Sequence, residues 1–470
     1  MKAWNRTERV IWSVGLFLTL SVGFFNHGII ALDDYSEGFA RFIPAQAHSF
    51  KETAESAGIR LPFQSMVLLS LSKAALGLGF REPVEQLRFV LMLLGAIVFC
   101  AHTFTARNVF SGQKDRAIAL LFSSCYFILP LIYSRPLIEN MSGACLSLAA
   151  YAAFKFHQEA RNKWVVFSVL ALSAASLFRF QSGICVLALP FLIFLKNKKS
   201  AGWTFIGACL LSFVGTGLLD LFLTGGFHRS LAAYFEYNLH HASSYGTTPF
   251  YTFFLLFLGL SLPPAFFGRY RGFDWKDRYR DLLPILLFFS IFVVAHSLIP
   301  HKEERFMVPV LVQFLILLVP LASYWVFELK SRARACYFCG LNFILLVLTS
   351  FSAPQNNVIA LVRYMGTHSQ YSTVLDFEDS VVLVPHAFSL RPFSVSPFKA
   401  GTALPTSEGG CDKILAVRED KAAAHPELRS QLTTLTEFRP GPLEALLVRL
   451  NPRQNARRGS IYLLSPKGCT

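Results

Sequence analysis

His301-Lys302-Glu303-Glu304-Arg305-Phe306 separates two long apolar runs, 282–300 and 307–327. Five ionisable side chains in a row stand where the chain leaves one membrane span and enters the next. Charge at the end of a span costs free energy unless it lies in water, in a cavity or against a charged ligand. So short a connection needs no such density to stay solvated. Lys302 and Arg305 suit an anion, and Glu303, Glu304 and His301 can order those cations or bind hydroxyls. The hexapeptide therefore predicts an active-site rim in a membrane enzyme. The plainer alternative is an internally salt-bridged loop. It explains Lys302 beside Glu303 and leaves the density unexplained.

Composition supports the membrane. The 470 residues are 53% hydrophobic and 16% charged, with mean hydropathy +0.44. Apolar runs of about 20 residues recur, which predicts an all-α polytopic membrane protein. A β-barrel would alternate apolar and polar residues, and these runs do not. The net charge of +15 is scattered between apolar runs, so membrane lipids and not nucleic acid are the expected partners. The nine cysteines show no metal-ligand spacing. Cys336 and Cys339 are formally C-x-x-C but open a span and have no partner pair, so they read as packing thiols. Cys411 and Cys469 lie in a polar tail and can pair in an oxidising compartment.

Loop charge sets the expected topology. A span at 10–30 follows Lys2, Arg6 and Arg9, and reads as an uncleaved anchor with its N-terminus inside. Basic loops at 107–116, 155–163, 196–199, 269–281 and 330–334 are expected in the cytoplasm. The run 61–80 is broken by Pro62, Lys73, Gly77 and Gly79. It is expected to be a juxtamembrane or re-entrant helix on the outer side. About eleven crossings result, forming a membrane domain over 1–353. Residues 354–470 are expected to form a small α/β soluble domain on the outer face. Its expected strands lie at 381–384, 414–417 and 460–464, with a helix near 442–450. Residues 31–86, 134–137, 178–181, 224–249 and 300–305 then share that face.

Several outer-face groups are candidates for chemistry. Asp33 and Asp34 follow the first span, beside Tyr35. Paired carboxylates repel, which raises one pKa and leaves the other ionised to accept a hydroxyl proton. Solvated loop acids or a metal site are the alternatives. Arg179 sits at the tip of the 164–195 hairpin, where a snorkelling side chain is the plainer reading. Arg135 and Glu139 flank a proline at a span junction and can pair with each other. Tyr245 precedes a span, in what also reads as an interfacial aromatic belt. His240 and His241 have no further ligand at metal spacing.

These segments together resemble glycosyltransferase family 22 of the GT-C superfamily. Its members are polyprenyl- or dolichyl-phosphate-mannose-dependent mannosyltransferases of GPI-anchor and N-glycan precursor assembly. Leu298-Ile299-Pro300-His301-Lys302-Glu303-Glu304-Arg305-Phe306 is similar to the family signature. Ser244-Tyr245-Gly246-Thr247-Thr248-Pro249-Phe250-Tyr251 resembles its Y-G-x-x-P-W-x-W/Y segment. Asp220, Gly225-Gly226 and Tyr237-Asn238, with Ser134–Asn140 and Arg60-Leu61-Pro62, follow in the family's order. The chain departs at Ala31-Leu32-Asp33-Asp34-Tyr35, where the family usually reads H-P-D-E-Y, and at Phe250, where tryptophan is usual.

The resemblance implies a GT-C helical bundle with outer juxtamembrane helices. It implies a mannosyl donor on a polyprenyl phosphate and a lipid-linked or glycan acceptor. Asp33 would be the general base, with Asp34 orienting or replacing it, and configuration would invert. Lys302, Arg305, Arg179 and His301 would hold the donor phosphate. Glu303, Glu304, Tyr35, Arg135, Glu139 and Tyr245 would bind substrate or support those groups. No metal and no cofactor is expected. The altered first loop points to a bacterial member, in the inner membrane with its site on the periplasmic side, or in the endoplasmic reticulum if eukaryotic. A transporter or flippase would instead place charge at mid-span and show repeat symmetry. A non-catalytic scaffold is the other alternative.

Overall fold

The computed structural model describes residues 3–30, 61–241, 246–263, 265–266, 270, 272–381, 386–389, 391–406 and 411–469. Asp33, Asp34, Tyr35, Arg60 and Tyr245 lie outside the described residues. The helices run in order α1 Arg6–Phe25, α2 Phe63–Gly77, α3 Pro83–Asn108, α4 Gln113–Cys125, α5 Leu129–Tyr133, α6 Ile138–Glu159 and α7 Asn162–Phe178. They continue as α8 Ala188–Leu195, α9 Lys199–Thr224, α10 Arg229–His241, α11 Thr252–Leu260, α12 Trp275–Arg280, α13 Leu283–Ser297, α14 Val308–Ser323, α15 Arg332–Phe351 and α16 Asn356–Thr367.

Among the described residues, five helical segments are long and apolar enough to cross a membrane: Arg6–Phe25, Pro83–Asn108, Lys199–Thr224, Glu304–Glu328 and Arg332–Thr367. Asn162–Phe178, Phe180–Leu195 and Leu283–Ser297 are apolar but shorter. The protein is thus a multi-pass helical membrane protein, with fewer full-length apolar helices than the eleven crossings expected. Proline accounts for part of the difference. The expected span 117–133 breaks at Tyr126, which is extended at ψ 135°, and restarts at α5 with Pro130 in its first turn. Proline has no N–H to give and suits a helix start. The expected span 250–268 stops at Ser261, just before Pro263-Pro264.

The chain divides into two compact units. The first comprises Met1–Ser21, Ser49–Val67 and Met92–Leu346. Its centre is α14, where Val310, Leu315 and Val319 are fully buried. Gly143 of α6 lets that helix approach closely, since a Cβ there would stand 2.9 Å from Pro309 Cα. Small residues at such a crossing exchange side-chain volume for backbone contact. Buried Gln313 donates to Ser147 Oγ at 3.3 Å, and that hydroxyl meets His102 Nδ1 at 2.8 Å. Interhelical hydrogen bonds in membranes contribute roughly 0.6–2 kcal/mol each, so dispersion across α6 and α14 holds the bundle and the polar chain fixes its register.

At the opposite end of α6, buried Glu8 ties α1 to α3 and α4. Its Oε2 accepts from Arg107 Nε at 3.1 Å and its Oε1 from Arg116 Nε at 2.7 Å. Arg107 also donates to Ala3 O at 3.0 Å and lies 4.3 Å from the Trp4 ring centroid.

The second unit comprises Val22–His48, Leu68–Leu91 and Val347–Thr470. Its sheet strands are β1 Thr373–Phe377, β2 Ser394–Phe398, β3 Lys413–Arg418, β4 Leu432–Phe438 and β5 Ile461–Pro466. Among the described residues they form one sheet in the order β2-β1-β3-β5-β4. β1 pairs in parallel with β2 and β3, while β5 runs antiparallel to β3 and β4. Phe377, Leu415, Val417, Leu428 and Leu464 pack its core. The apolar runs at 414–417 and 460–464 mark β3 and β5, and the expected helix is Pro442–Leu450. Residues 382–384 of the remaining expected strand lie outside the described residues. Cys411 and Cys469 form a disulfide with Cα atoms 5.3 Å apart.

Candidate active site

The signature turn follows from the chemistry of two helix ends. α13 stops at Ser297, and Pro300 blocks its continuation. A short 3-10 turn, Glu304–Met307, leads into α14 with Pro309 in the first turn. The Lys302 ammonium fastens this loop. It donates to Ile299 O at 2.6 Å and to Thr248 O at 3.0 Å, while Thr248 N–H reaches Pro300 O at 3.0 Å. An ammonium has three donors, and two serve these carbonyls. The signature is thereby bound to 246–251, the other segment singled out in the sequence.

Glu303 organises the next residues. It accepts from Arg305 through both carboxylate oxygens, at 2.6 Å from Nε and 3.3 Å from Nη2. His301 Nε2 lies 3.0 Å from the same carboxylate. Burial pushes the Glu303 carboxyl up, but the Arg305 and His301 hydrogen bonds and charges outweigh it and hold the group below its ordinary value. Glu303 is therefore ionised at neutral pH. Glu304 points outward and is exposed.

Arg179 closes the site from α7. It caps that helix, its N–H bonding Ala175 O at 2.9 Å. Its Nε donates to Gln181 at 2.7 Å, and its Nη1 pairs with Glu139 Oε1 at 3.1 Å. Both ion-pair partners are buried, with side chains 2% and 3% exposed. A snorkelling arginine keeps its head in water, so burial excludes that reading. Glu139 lies in the first turn of α6, where the helix dipole favours a carboxylate. Arg135, fully buried, reaches Ser134 Oγ at 3.3 Å, and Asn140 donates to the Arg135 carbonyl at 3.0 Å.

The two arginines meet at one ring. Phe306 has the Arg179 guanidinium 4.8 Å and the Arg305 guanidinium 5.6 Å from its centroid, with the His301 ring at 5.9 Å. An aromatic face attracts cations and spaces them apart. Ser142 Oγ contacts Ser182 Oγ at 2.6 Å and donates to Ala175 O at 3.0 Å, which holds α6 against the Arg179 turn. Arg179, Glu139, His301, Glu303 and Arg305 thus form one cluster around Phe306. Phe306 itself, Gln181 and buried His296 had no role in the sequence reading. Phe306 stands directly after the signature arginine, and that adjacency was its signal.

Comparison with known proteins agrees with this arrangement. A model of the Alg9-like mannosyltransferase family matches residues 55–385. Two solved structures share the fold: ArnT from Cupriavidus metallidurans in the apo state, and the same protein bound to undecaprenyl phosphate. The first has a TM-score of 0.57 at 12% identity and covers 97% of each chain. The second has a TM-score of 0.57 at 12% identity and covers 98% of each chain. No curated protein matches the chain in sequence. The match spans more than half of the chain and contains the whole Phe306 cluster, so this protein belongs to the Alg9-like mannosyltransferase family and is a membrane glycosyltransferase of the GT-C fold.

Proposed function

We propose that the protein transfers mannose from a polyprenyl-phosphate carrier to a hydroxyl of a lipid-linked or glycan acceptor, with inversion. The observation that carries this reading is the pair of arginines on Phe306, each also held by a carboxylate. A departing lipid phosphate gains negative charge as its bond to the sugar breaks. Guanidiniums already oriented at that place stabilise the change without reorganisation. Arg305 is the mobile member: its carboxylate, Glu303, lies two residues away on the same turn, so the fork can exchange Glu303 for two phosphate oxygens. Buried Arg179 supplies fixed charge. Lys302 offers its third donor, and His301 borders the same space.

In the reaction, the acceptor oxygen attacks the anomeric carbon on the face opposite the phosphate. The carbon–oxygen bond to phosphate breaks and the polyprenyl phosphate leaves with the electron pair. Asp33 takes the acceptor proton, with Asp34 orienting it. Glu304, Tyr35, Arg135 and Tyr245 bind substrate or support these groups. ArnT's binding of undecaprenyl phosphate on the same fold supports a lipid phosphate as carrier. The positive-inside bias supports a bacterial inner-membrane protein with the site and the 354–470 domain facing the periplasm.

The test is transfer of labelled mannose to a membrane extract by the purified full-length chain. A short-chain polyprenyl-phosphate mannose is compared with guanosine-diphosphate mannose. Label is expected to move from the lipid donor alone, and the product linkage is expected to have the opposite anomeric configuration. Transfer from the nucleotide sugar alone, or retained configuration, would overturn the reading.

A further inference from the structure

A second charged cavity lies at the far end of α6 from Glu139. The helix has 22 residues, so it is about 33 Å long at 1.5 Å per residue. That is close to the ~30 Å of a bilayer's hydrocarbon core. The cavity has a volume of about 550 Å³ and is formed where α3 ends, α4 begins, α6 ends and α7 begins. Five cations line it, Arg107, Arg116, Lys155, Arg161 and Lys163, against one carboxylate, Glu159. Nothing in the glycosyl transfer uses these groups.

Their partners leave a cationic surplus. Glu8, behind the wall, serves Arg107 and Arg116 and fixes their direction. Glu159 is divided among Lys155, the Trp164 indole N–H at 2.8 Å and Arg161 at 3.8 Å. Lys163 makes no ion pair among the described residues and lies 5.1 Å from the Trp164 ring centroid. The Arg161 side chain is 66% exposed at the mouth. Trp164 and Tyr151 meet edge to face at 6.1–6.2 Å from their neighbours along this rim, Trp164 contacting Phe167 and Tyr151 in turn. Tryptophan and tyrosine mark the level where a membrane's apolar core gives way to headgroups.

We infer that this cavity binds the phosphate of an anionic lipid headgroup, in the leaflet opposite the transfer site. Clustered lysine and arginine at the ends of membrane helices recognise phosphate by charge and by directed N–H donors. The aromatic rim favours a phosphate that carries acyl chains over one free in water. The binding requires no turnover, so its outcome is independent of the donor assignment.

The test uses the purified full-length chain in detergent, titrated with dihexanoyl phosphatidylglycerol, dihexanoyl phosphatidylcholine and inorganic phosphate. Phosphatidylglycerol is expected to bind at least tenfold more tightly than either of the others. Arg161→Glu combined with Lys163→Glu is expected to abolish that preference, and Lys163→Gln alone to weaken it about threefold. If the double variant is not monodisperse, the single variant decides. Equal binding of the two lipids, or a preference unchanged in Lys163→Gln, would overturn the inference. Inorganic phosphate binding as tightly as phosphatidylglycerol would overturn the lipid assignment in favour of a soluble phosphate.

Discussion

Replacing Glu8 by alanine is expected to destabilise the helical bundle by about 3–5 kcal/mol, because it leaves two buried guanidiniums without their shared carboxylate. Glu8 is fully buried, and Arg107 and Arg116 are 2% and 8% exposed. Neither arginine can neutralise itself by losing a proton. Their remaining partners are backbone carbonyls, Ala3 O for Arg107 and Ser111 O for Arg116 at 2.8 Å. Carbonyl oxygens satisfy donors but do not balance the charge. The melting midpoint in detergent is expected to fall by roughly 10 °C. Glu8→Gln keeps one acceptor oxygen and is expected to fall between the two. An unchanged midpoint in Glu8→Ala would show that the arginines are solvated and that Glu8 does not join α1 to the bundle.

The largest expected effect on turnover belongs to Asp33. Asp33→Asn keeps the side chain's size and removes its capacity to take a proton. Transfer is expected to slow by roughly 10²-fold or more while donor binding is largely kept. The assignment rests on the resemblance of the first loop to its family and on the proton that the acceptor hydroxyl must lose. A slow Asp34→Asn beside an active Asp33→Asn would exchange the two roles. Full activity in both would contradict a carboxylate base in this loop.

The signature turn was legible in the sequence because its charges are local. Glu303 pairs with residues two positions away on either side, His301 and Arg305. Glu139 was less legible. Its proximity to Arg135 offered a local pairing, but the printed ion pair is to Arg179, brought in from another helix end. Only packing of α6 against α7 makes that contact, and no spacing rule encodes it. Glu8 was missed for the same reason, as its partners lie 99 and 108 residues away. A charged residue beside Arg6 and Arg9 reads as an ordinary flank of a first span.

The soluble sheet shows a similar division. β3 and β5 carry continuous apolar runs and declare themselves. β2 and β4 do not, because Ser394, Ser396, Thr433, Thr434 and Thr436 interrupt the pattern. They hold the two ends of the strand order, where one edge is unpaired and polar side chains suit the position. Helix lengths were over-read where proline intervenes. Pro130 and Pro263 sit inside runs that are apolar throughout, and hydropathy does not register a missing N–H.

The central claim is that the cations on Phe306 stabilise a departing lipid phosphate, and Arg305→Lys tests it most directly. Lysine keeps the charge and loses the planar fork that can hold two phosphate oxygens. The exchange with Glu303 should also weaken, since one ammonium cannot reproduce the two-point contact seen here. Interactions that strengthen as the bond breaks affect turnover more than ground-state binding. The measurement is the rate of labelled mannose transfer from a short-chain polyprenyl phosphate, at saturating donor, with wild type and variant matched for monodispersity. The account predicts a rate lower by roughly ten- to a hundredfold with donor affinity changed much less. An undiminished rate in a well-folded Arg305→Lys protein would contradict it.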